Sequence, residues 1–388
     1  MFTVDNDYIV AIRREIHEYP ETGFDLPKTV AVVKRELEAM GIPYTEKYGR
    51  GSVVGYINPE KEGFTIGIRA DMDALDITEK VDVPYKSKIE GKMHACGHDA
   101  HTAVLLGAAK VLKSMESDLN CRVKLLFQPS EEGMEKGAEM MCSNGVMDDV
   151  DVIIGQHVET LLDAGTMGVR SGFAQASSRN FKIEIFGEST HATTPQEGVD
   201  ALGIAVRIYN DIQHFMVREV DPFEKCVCSV GTLHAGKGQN NIADYAEMVG
   251  TIRALDMKVD NFIISRLEKT VKNRAEEAGA GWKVTAPLKT PSVNNDPQIA
   301  QRVLATLEKV VGKENIREMP IKLGAEDFSH YQLKKPGVLF RLGIRNEEKG
   351  FVNDTHSAWF QLDEDVLHLG SRAFVQFVLD NMNGIEMQ

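Results

Sequence analysis

Residues 93–101 read Met-His-Ala-Cys-Gly-His-Asp-Ala-His, which packs one thiol, three imidazoles and one carboxylate into nine positions. Thiolate and imidazole are ligands for a borderline-soft divalent metal. Cys96 and His98 stand two apart, so an extended backbone presents both on one face. Gly97 lets the chain bend between them. The Ala-, Leu- and Val-rich run from Ala100 to Lys113 predicts a helix, with Asp99 as its cap. A metal-binding turn between strand and helix is the first expectation. Its rival is a reduced, buried cysteine among ordinary histidines, and only the rest of the chain separates the two.

The 388 residues suit two or three domains of about 150 residues each. Apolar content of 43% and charged content of 26% belong to an ordinary globular protein. A net charge of −14 argues against a phosphate-binding surface, so no nucleic-acid partner is expected. No run approaches about 18 apolar residues, so neither a transmembrane helix nor a membrane partner is expected. The N-terminus has no basic region followed by an apolar core, which reads as no signal peptide. Five scattered cysteines do not form a disulfide framework. A cytoplasmic protein with reduced thiols is the simplest expectation.

Residues 7–19 and 28–40 are expected to be helical, the second from the spacing of Val30, Val33, Leu37 and Met40 before Gly41. Short apolar strands are expected over 52–57, 64–70, 121–128 and 150–156. Three of them run into polar residues: Asp71-Met72-Asp73, Ser130-Glu131-Glu132-Gly133 and His157. Ligand-type residues beyond strand ends point to an α/β sheet with its site at the carboxyl edge. The texture changes near residue 179. An alternating strand over 180–186 is followed by a helix over 200–217 and strands over 226–234 and 246–255. A helix over 258–278 and a strand from Trp282 to Leu288 complete the order β-α-β-β-α-β, a four-stranded layer with helices on one face. The fold expected is α/β in two domains. Residues 1–178 and 292–388 form an α/β domain with a mixed sheet flanked by helices, ending in a helix over 363–383. Residues 179–291 form an inserted ferredoxin-like α+β domain.

Glu131 and Glu132 are adjacent, and neighbouring side chains in a strand or turn point apart. One carboxylate can bind a metal while the other carries protons; the alternative is a solvated acidic turn. His157 ends a strand, His356 sits in the polar loop 353–358, and His191 lies in the turn 188–195. Singly, His157 and His356 read as surface residues more readily than as ligands. His17, His214, His234, His330 and His368 have no comparable setting, and His214 and His368 are expected on helix surfaces.

Eight motifs act together: R-R-E-I-H-E-Y-P-E at 13–21, R-A-D-M-D-A-L at 69–75, H-A-C-G-H-D-A-H at 94–101, Q-P-S-E-E-G at 128–133, G-Q-H-V at 155–158, H-A-T-T-P at 191–195, G-T-I-R at 250–253 and G-A-E-D-F-S at 324–329. With them the chain resembles, nearly end to end, the co-catalytic metallo-aminoacylase and carboxypeptidase family. It is closest to the subgroup of hippurate hydrolases, auxin-conjugate hydrolases and bacterial N-acyl-amino-acid amidohydrolases, which carries the cysteine form of the C-G-H-D motif. The resemblance implies two divalent metal ions per chain, Mn or Zn first and Co or Ni as alternatives, bound by Cys96, His98, Glu132, His157 and His356. It implies Glu131 as general base and then general acid. Asp71 and Asp73 would orient ligand imidazoles, with Asp73 part of the catalytic set. His191 would help stabilise the oxyanion. Arg253 and Asn241 would bind substrate, Arg253 through a carboxylate, although a salt-bridged surface arginine is as good a reading of Arg253. A small N-acyl amino acid is the implied substrate, and the inserted domain a lid or the seam of a homodimer. Three segments depart from the family pattern. Gln196 replaces a histidine, Asn241-Ile242-Ala243-Asp244 lacks the usual proline, and residues 174–179 differ from the common form. All lie on or near the inserted domain, so they bear on substrate identity rather than on metal chemistry. An exopeptidase acting on dipeptides, or a catalytically silent metal-binding protein, remain the alternatives. Glu131 argues against the silent reading, because metal storage needs no proton-carrying carboxylate beside the ligands.

Overall fold

The computed structural model describes residues 2–386. The chain divides into two compact units. The first comprises Met1–Gly172, Asn294–Pro320 and Asp327–Gln388, and the second Phe173–Val293 with Ile321–Glu326. In the first unit, helices α1 (Asn6–His17) and α2 (Pro27–Ala39) precede β1 (Tyr44–Thr45), β2 (Val53–Ile57) and β3 (Thr65–Asp71). Then follow α3 (His98–Ser114), β4 (Arg122–Gln128), α4 (Gly137–Ser143), β5 (Val152–Asp163) and β6 (Met167–Val169). The strand β7 (Gly172–Gln175) leads into the second unit. That unit holds β8 (Ser178–Phe186), α5 (Ala201–Arg218), β9 (Cys226–Ala235), β10 (Tyr245–Ala254), α6 (Met257–Glu277), β11 (Gly281–Thr285) and β12 (Leu288–Thr290). Strand β13 (Val293–Asn295) leads back to α7 (Pro297–Val311), β14 (Ile316–Glu318), α8 (Ser329–Gln332), β15 (Gly337–Arg345) and α9 (Leu367–Asn381).

The sheet of the first unit runs β1-β2-β4-β3-β5-β15-β6-β14. Its centre is parallel, β4 with β3, β3 with β5 and β5 with β15. Antiparallel pairs β1–β2, β2–β4 and β6–β15 make it mixed, as expected. Helices cover both faces, which explains why the central strands read as near-continuous apolar runs. Alternation along each strand sends side chains to opposite faces. Leu125, Phe127, Ile154 and Phe340 enter the larger core with Ile9, Ile12 and Ile16 of α1 and Phe374 of α9. Leu126, Ile153 and Leu339 enter a smaller core with Met141 of α4 and Tyr331 of α8.

In the second unit the antiparallel order β11-β8-β10-β9, with β12 also on β8, gives the ferredoxin-like strand order. Ile204, Ile208 and Ile212 of α5 and Ile263, Leu267 and Val271 of α6 pack with Phe181, Ile183, Met248 and Ile252 of the strands. The strand expected from Trp282 to Leu288 is instead two strands. Pro287 lies between them and has no N–H for the ladder, so the layer has five strands rather than four.

Two other expectations are corrected. The strand ending before His157 continues to Asp163, because its ladder with β15 carries on through His157↔Arg341 and Val158↔Leu342. Asp99 does not cap α3, which begins one residue earlier, at His98. Its Oδ1 accepts the Ala100 N–H at 2.9 Å inside the first turn, and its Oδ2 is taken by buried partners from α1. Arg13 Nε donates to Asp99 Oδ2 at 2.8 Å, and His17 Nδ1 donates to the same oxygen at 2.7 Å. His17 Nε2 faces Glu79 Oε1 at 3.2 Å, and Arg13 Nη1 donates to Glu364 at 3.0 Å. All of Arg13, His17, Glu79 and Asp99 are buried.

Burial and the Arg13 charge pull His17 down, but the hydrogen bonds to Asp99 and Glu79 outweigh them and leave it above its ordinary value. Burial pushes Asp99 up, yet Arg13 and then His17 hold it well below the carboxylate range. The raised imidazole therefore contributes stability below its unfolded pKa of about 6.5 and loses it as pH rises through the folded value. The depressed carboxylate contributes above about pH 3.9 and loses it as pH falls. Both act together between about pH 4 and 6.5. In thermal melts of metal-free protein, parent and His17→Gln should differ most at pH 5–6 and converge by pH 9, by a few degrees at roughly 2–4 °C per kcal/mol. A pH-independent difference would show that His17 is not an imidazolium.

Candidate metal centre

Because β3, β4 and β5 are parallel, the residues that follow or end them share one edge of the sheet. β3 delivers Asp71 and Asp73, the loop after β4 delivers Glu131 and Glu132, and β5 carries His157. The turn before α3 delivers Cys96 and His98. The loop bearing His356 is tied to that turn by a backbone bond from His356 N–H to Ala95 O, 2.8 Å.

Cys96 Sγ lies 3.5 Å from His157 Nε2. Donor atoms of Cys96, His98 and His157 fall within 4.8 Å of one another, and so do those of Cys96, Glu132 and His356, and of His98, Glu131 and Glu132. His356 Nε2 is 3.0 Å from Glu132 Oε1. The five residues expected to ligate metal thus converge with Glu131 in one cluster, in which Cys96 belongs to two triads.

Asp73 both holds the loop after β4 and faces the His98 ring. Its two oxygens accept the backbone N–H groups of Glu131 and Glu132 at 2.9 and 3.1 Å, and Oδ1 faces His98 Nδ1 at 3.4 Å. Asp71, fully buried, pairs with Arg69 at 2.7 Å, accepts from His101 Nδ1 at 2.5 Å and lies 3.6 Å from His98 Nε2. His101 Nε2 accepts the Val158 N–H at 2.9 Å, so the ring carries its proton on Nδ1. His157 Nδ1 donates to Val158 O at 2.6 Å, leaving the Nε2 lone pair toward Cys96.

Burial pushes the Cys96 thiol up, partly offset by His98. Burial also pulls His98 down, but Asp71 and Cys96 outweigh it and hold the ring well above its ordinary value. His157 is depressed by burial, with His101 and Arg341 adding to it. Burial raises Glu132, yet His356 and His98 bring it below the usual range. His98 is 1% exposed, and neither of its ring nitrogens has a hydrogen-bond partner. A buried imidazole without partners, beside a thiol, a second imidazole and carboxylates, fits a borderline-soft divalent ion.

The backbone is bent to build this cluster. Ser130 and His356 have φ of 52° and 65°, a left-handed conformation that side chains other than glycine rarely adopt. Gly97 has φ 83°, and a Cβ there would stand 2.6 Å from Val158. At Gly137 a Cβ would stand 1.7 Å from Pro129 O, so the loop of Glu131 closes only around glycine.

His191, Asn241 and Arg253 belong to the second unit, and the cluster draws on none of them. His191 and Asn241 form an antiparallel bridge, and His191 Nδ1 lies 2.7 Å from Thr193 Oγ1. Both are exposed, while Arg253 on β10 is half-buried. His214 is exposed on α5, and His368 is half-buried on α9.

Sequence reasoning gave no role to His17, Arg69, His94, His101 or Asp327. His94 is fully buried, with neither nitrogen in a hydrogen bond, and burial pulls it down to about 3. Two signals were present. Arg69 is a charge inside an apolar strand, which requires a buried partner. His101 stands three residues after His98, on the same helix face.

A cluster of metal-ligand-type residues at one edge of an α/β sheet, in a chain that also carries a ferredoxin-like unit, is thus in place. The chain belongs to peptidase family M20/M25/M40, whose model matches residues 67–380. It is 39% identical over 370 residues to thermostable carboxypeptidase 1 of Saccharolobus solfataricus, covering 95% of this chain and 93% of that one. It is 38% identical over 370 residues to IAA-amino acid hydrolase ILR1-like 4 of Arabidopsis thaliana, covering 94% and 83%. The solved structure of the Bacillus subtilis YXEP protein, a dinuclear metal-binding peptidase of the M20 family, superposes with a TM-score of 0.82. It is 30% identical and covers 96% of this chain and 97% of that one.

Gly97→Ala should destabilise the protein by about 1–2 kcal/mol from the left-handed backbone alone, with the Val158 contact adding to it. Melting curves together with metal content by mass spectrometry check this. Unchanged values for both would show that the turn does not need the left-handed residue.

Proposed function

We propose that this M20 hydrolase cleaves the amide bond of N-acyl amino acids, with a pair of divalent ions held by Cys96, His98, Glu132, His157 and His356. The observation that carries the reading is the Asp73 carboxylate gripping the amides of both Glu131 and Glu132. It fixes two adjacent carboxylates in different settings. Glu132 engages His356, while Glu131 stands against His98 and receives the Asp327 N–H at 3.4 Å.

Divalent ions at this site would supply Lewis acidity, polarising an amide carbonyl and lowering the pKa of water from about 16 to about 7. Glu131 takes the proton of the attacking water and returns it to the leaving amine nitrogen. His191 donates toward the oxyanion, and Arg253, with Asn241, binds the carboxylate of the amino acid. The second unit serves as a lid, and as the seam of a homodimer. The relatives named as a carboxypeptidase and as an IAA-amino acid hydrolase support an amide beside an amino acid. The first of them also favours a second reading, an exopeptidase acting on short peptides. All five cysteines are free, which suits a reducing cytoplasm. Among the described residues no helix is long and apolar enough to cross a membrane.

Chelation should abolish hydrolysis, and Mn, Zn, Co or Ni should restore it. Glu131→Gln should keep its metal and lose about 10²–10⁴-fold in rate, whereas Glu132→Gln should lose metal as well. Equal metal content in the two variants would refute the division of labour.

A panel of N-acetyl, N-benzoyl and indole-acetyl amino acids set against dipeptides decides between amidohydrolase and exopeptidase. On the preferred substrate His191→Ala should lower kcat at unchanged metal content, and Arg253→Ala should mainly raise KM. Parent-like kinetics in both variants would remove the second unit from the chemistry.

A further inference from the structure

Arg13 and His17 stand one turn apart on α1, and neither belongs to the metal-type cluster. Both nonetheless grip Asp99, the residue next to His98 in the first turn of α3. The network extends outward on both sides. Arg13 reaches Glu364 before α9, and His17 reaches Glu79, whose other oxygen accepts the Ser87 N–H at 2.7 Å. Four separate segments are thereby tied to one carboxylate that is wholly excluded from solvent.

The start of α3 needs such a tie. Its N-cap is Gly97, in the left-handed region and without a side chain to cap the helix, so the first-turn N–H of Ala100 goes at 2.9 Å to Asp99 Oδ1, the other oxygen of the carboxylate that Arg13 and His17 hold. The first turn of a helix has no intrahelical partners for its N–H groups and frays unless something replaces them. Stability alone does not explain the device, because a buried ion pair is often matched or exceeded by apolar residues of similar volume. Two charge-assisted donors converging on one carboxylate oxygen, Arg13 Nε and His17 Nδ1 on Asp99 Oδ2, do supply direction, which apolar packing does not. His98 is the group whose direction matters. Its ring nitrogens point toward Asp71 and Asp73 without hydrogen bonds, so those carboxylates alone do not fix it.

We propose that Arg13 and His17 are positioning residues of the metal centre: by gripping Asp99 from two directions they fix the first turn of α3 and thus the angle at which His98 is presented. The proposal deepens the metal-centre reading and rests on it.

The test measures zinc affinity by competition with a chromogenic chelator, the visible absorption of Co(II)-loaded protein, and the melting temperature of metal-free protein. Arg13→Gln and His17→Gln should each weaken zinc binding by about 10–100-fold, the usual effect of removing partners that orient a metal-ligating group. Both should alter the Co(II) bands. Arg13→Lys, which keeps the charge but not the fork, should recover part of the affinity. Ile9→Ala, on the same helix and fully buried, should lower the melting temperature while leaving zinc affinity within about twofold. If Arg13→Gln fails to fold, Arg13→Lys and His17→Gln carry the comparison. The proposal is overturned if the α1 charge variants melt earlier with unchanged zinc affinity and spectrum, or if Ile9→Ala weakens zinc binding as much as they do. His98→Ala separates the two levels. Unchanged zinc affinity in that variant removes the metal-centre reading itself. Weakened affinity there, with none in the α1 variants, removes only the positioning role.

Discussion

Asp71 is a carboxylate with no access to water, and the site is organised around compensating it. An isolated buried charge costs several kcal/mol or more, so it persists only with opposite charge and hydrogen bonds around it. Arg69 supplies the charge, itself fully buried and bound also to Gln128 and Asp327. His101 supplies a hydrogen bond and passes the constraint on, because its second nitrogen accepts the Val158 N–H beside His157. One compensated carboxylate thereby links β3, the first turns of α3 and the middle of β5. The donors of Cys96, His98 and His157 come from these same elements.

Asp73, two residues on, extends the same logic to the loop after β4. Neither Glu131 nor Glu132 lies in regular structure, so their backbone N–H groups have no ladder to join. The Asp73 carboxylate takes both. The loop then has to turn sharply, through the left-handed Ser130 and the close approach of Gly137 to Pro129. Such a conformation costs roughly 1–3 kcal/mol at a non-glycine residue and survives only where surrounding bonds over-determine it. Here the Ser130 hydroxyl donates to Glu135 O and the Gly137 N–H to Ser130 O.

Much of this was legible in the sequence because metal chemistry uses few residue types at short spacings. Cys96 and His98, like Glu131 and Glu132, stand out as ligand-type residues by their spacing, although only the motifs taken together set them apart from a buried cysteine and a solvated acidic turn, and the alternation of the second unit announces β-α-β-β-α-β. What was not legible depends on partners far away in the chain. Asp99 looks like the N-cap of α3 from its neighbours, yet it lies inside the first turn, where one oxygen accepts the Ala100 N–H and the other is claimed by Arg13 and His17, 86 and 82 residues earlier. His157 looks like a strand end because Glu159 and Thr160 are polar, yet the parallel ladder with β15 carries the strand past it. The split at Pro287 is a different case. The missing N–H was readable, and the alternation of apolar residues on either side concealed it.

The ligand-type residues differ in how firmly the chain holds them before any ion is present. His157 has its proton fixed by Val158 O, and His98 sits in a helical turn bracketed by three carboxylates, those of Asp71, Asp73 and Asp99. His356 is held differently. Its side chain is 53% exposed, its backbone is left-handed, and its ties are one backbone bond to Ala95 and the ion pair with Glu132. Exposure screens that ion pair, so it adds little rigidity of its own. Metal binding to a partly formed site couples local folding to affinity, and the ordering cost falls on the donor that is least restrained. The buried charges of β3 and α3 therefore leave that cost concentrated at the His356 loop. There the imidazole stands on a left-handed backbone with the Glu132 carboxylate at 3.0 Å as its side-chain tie.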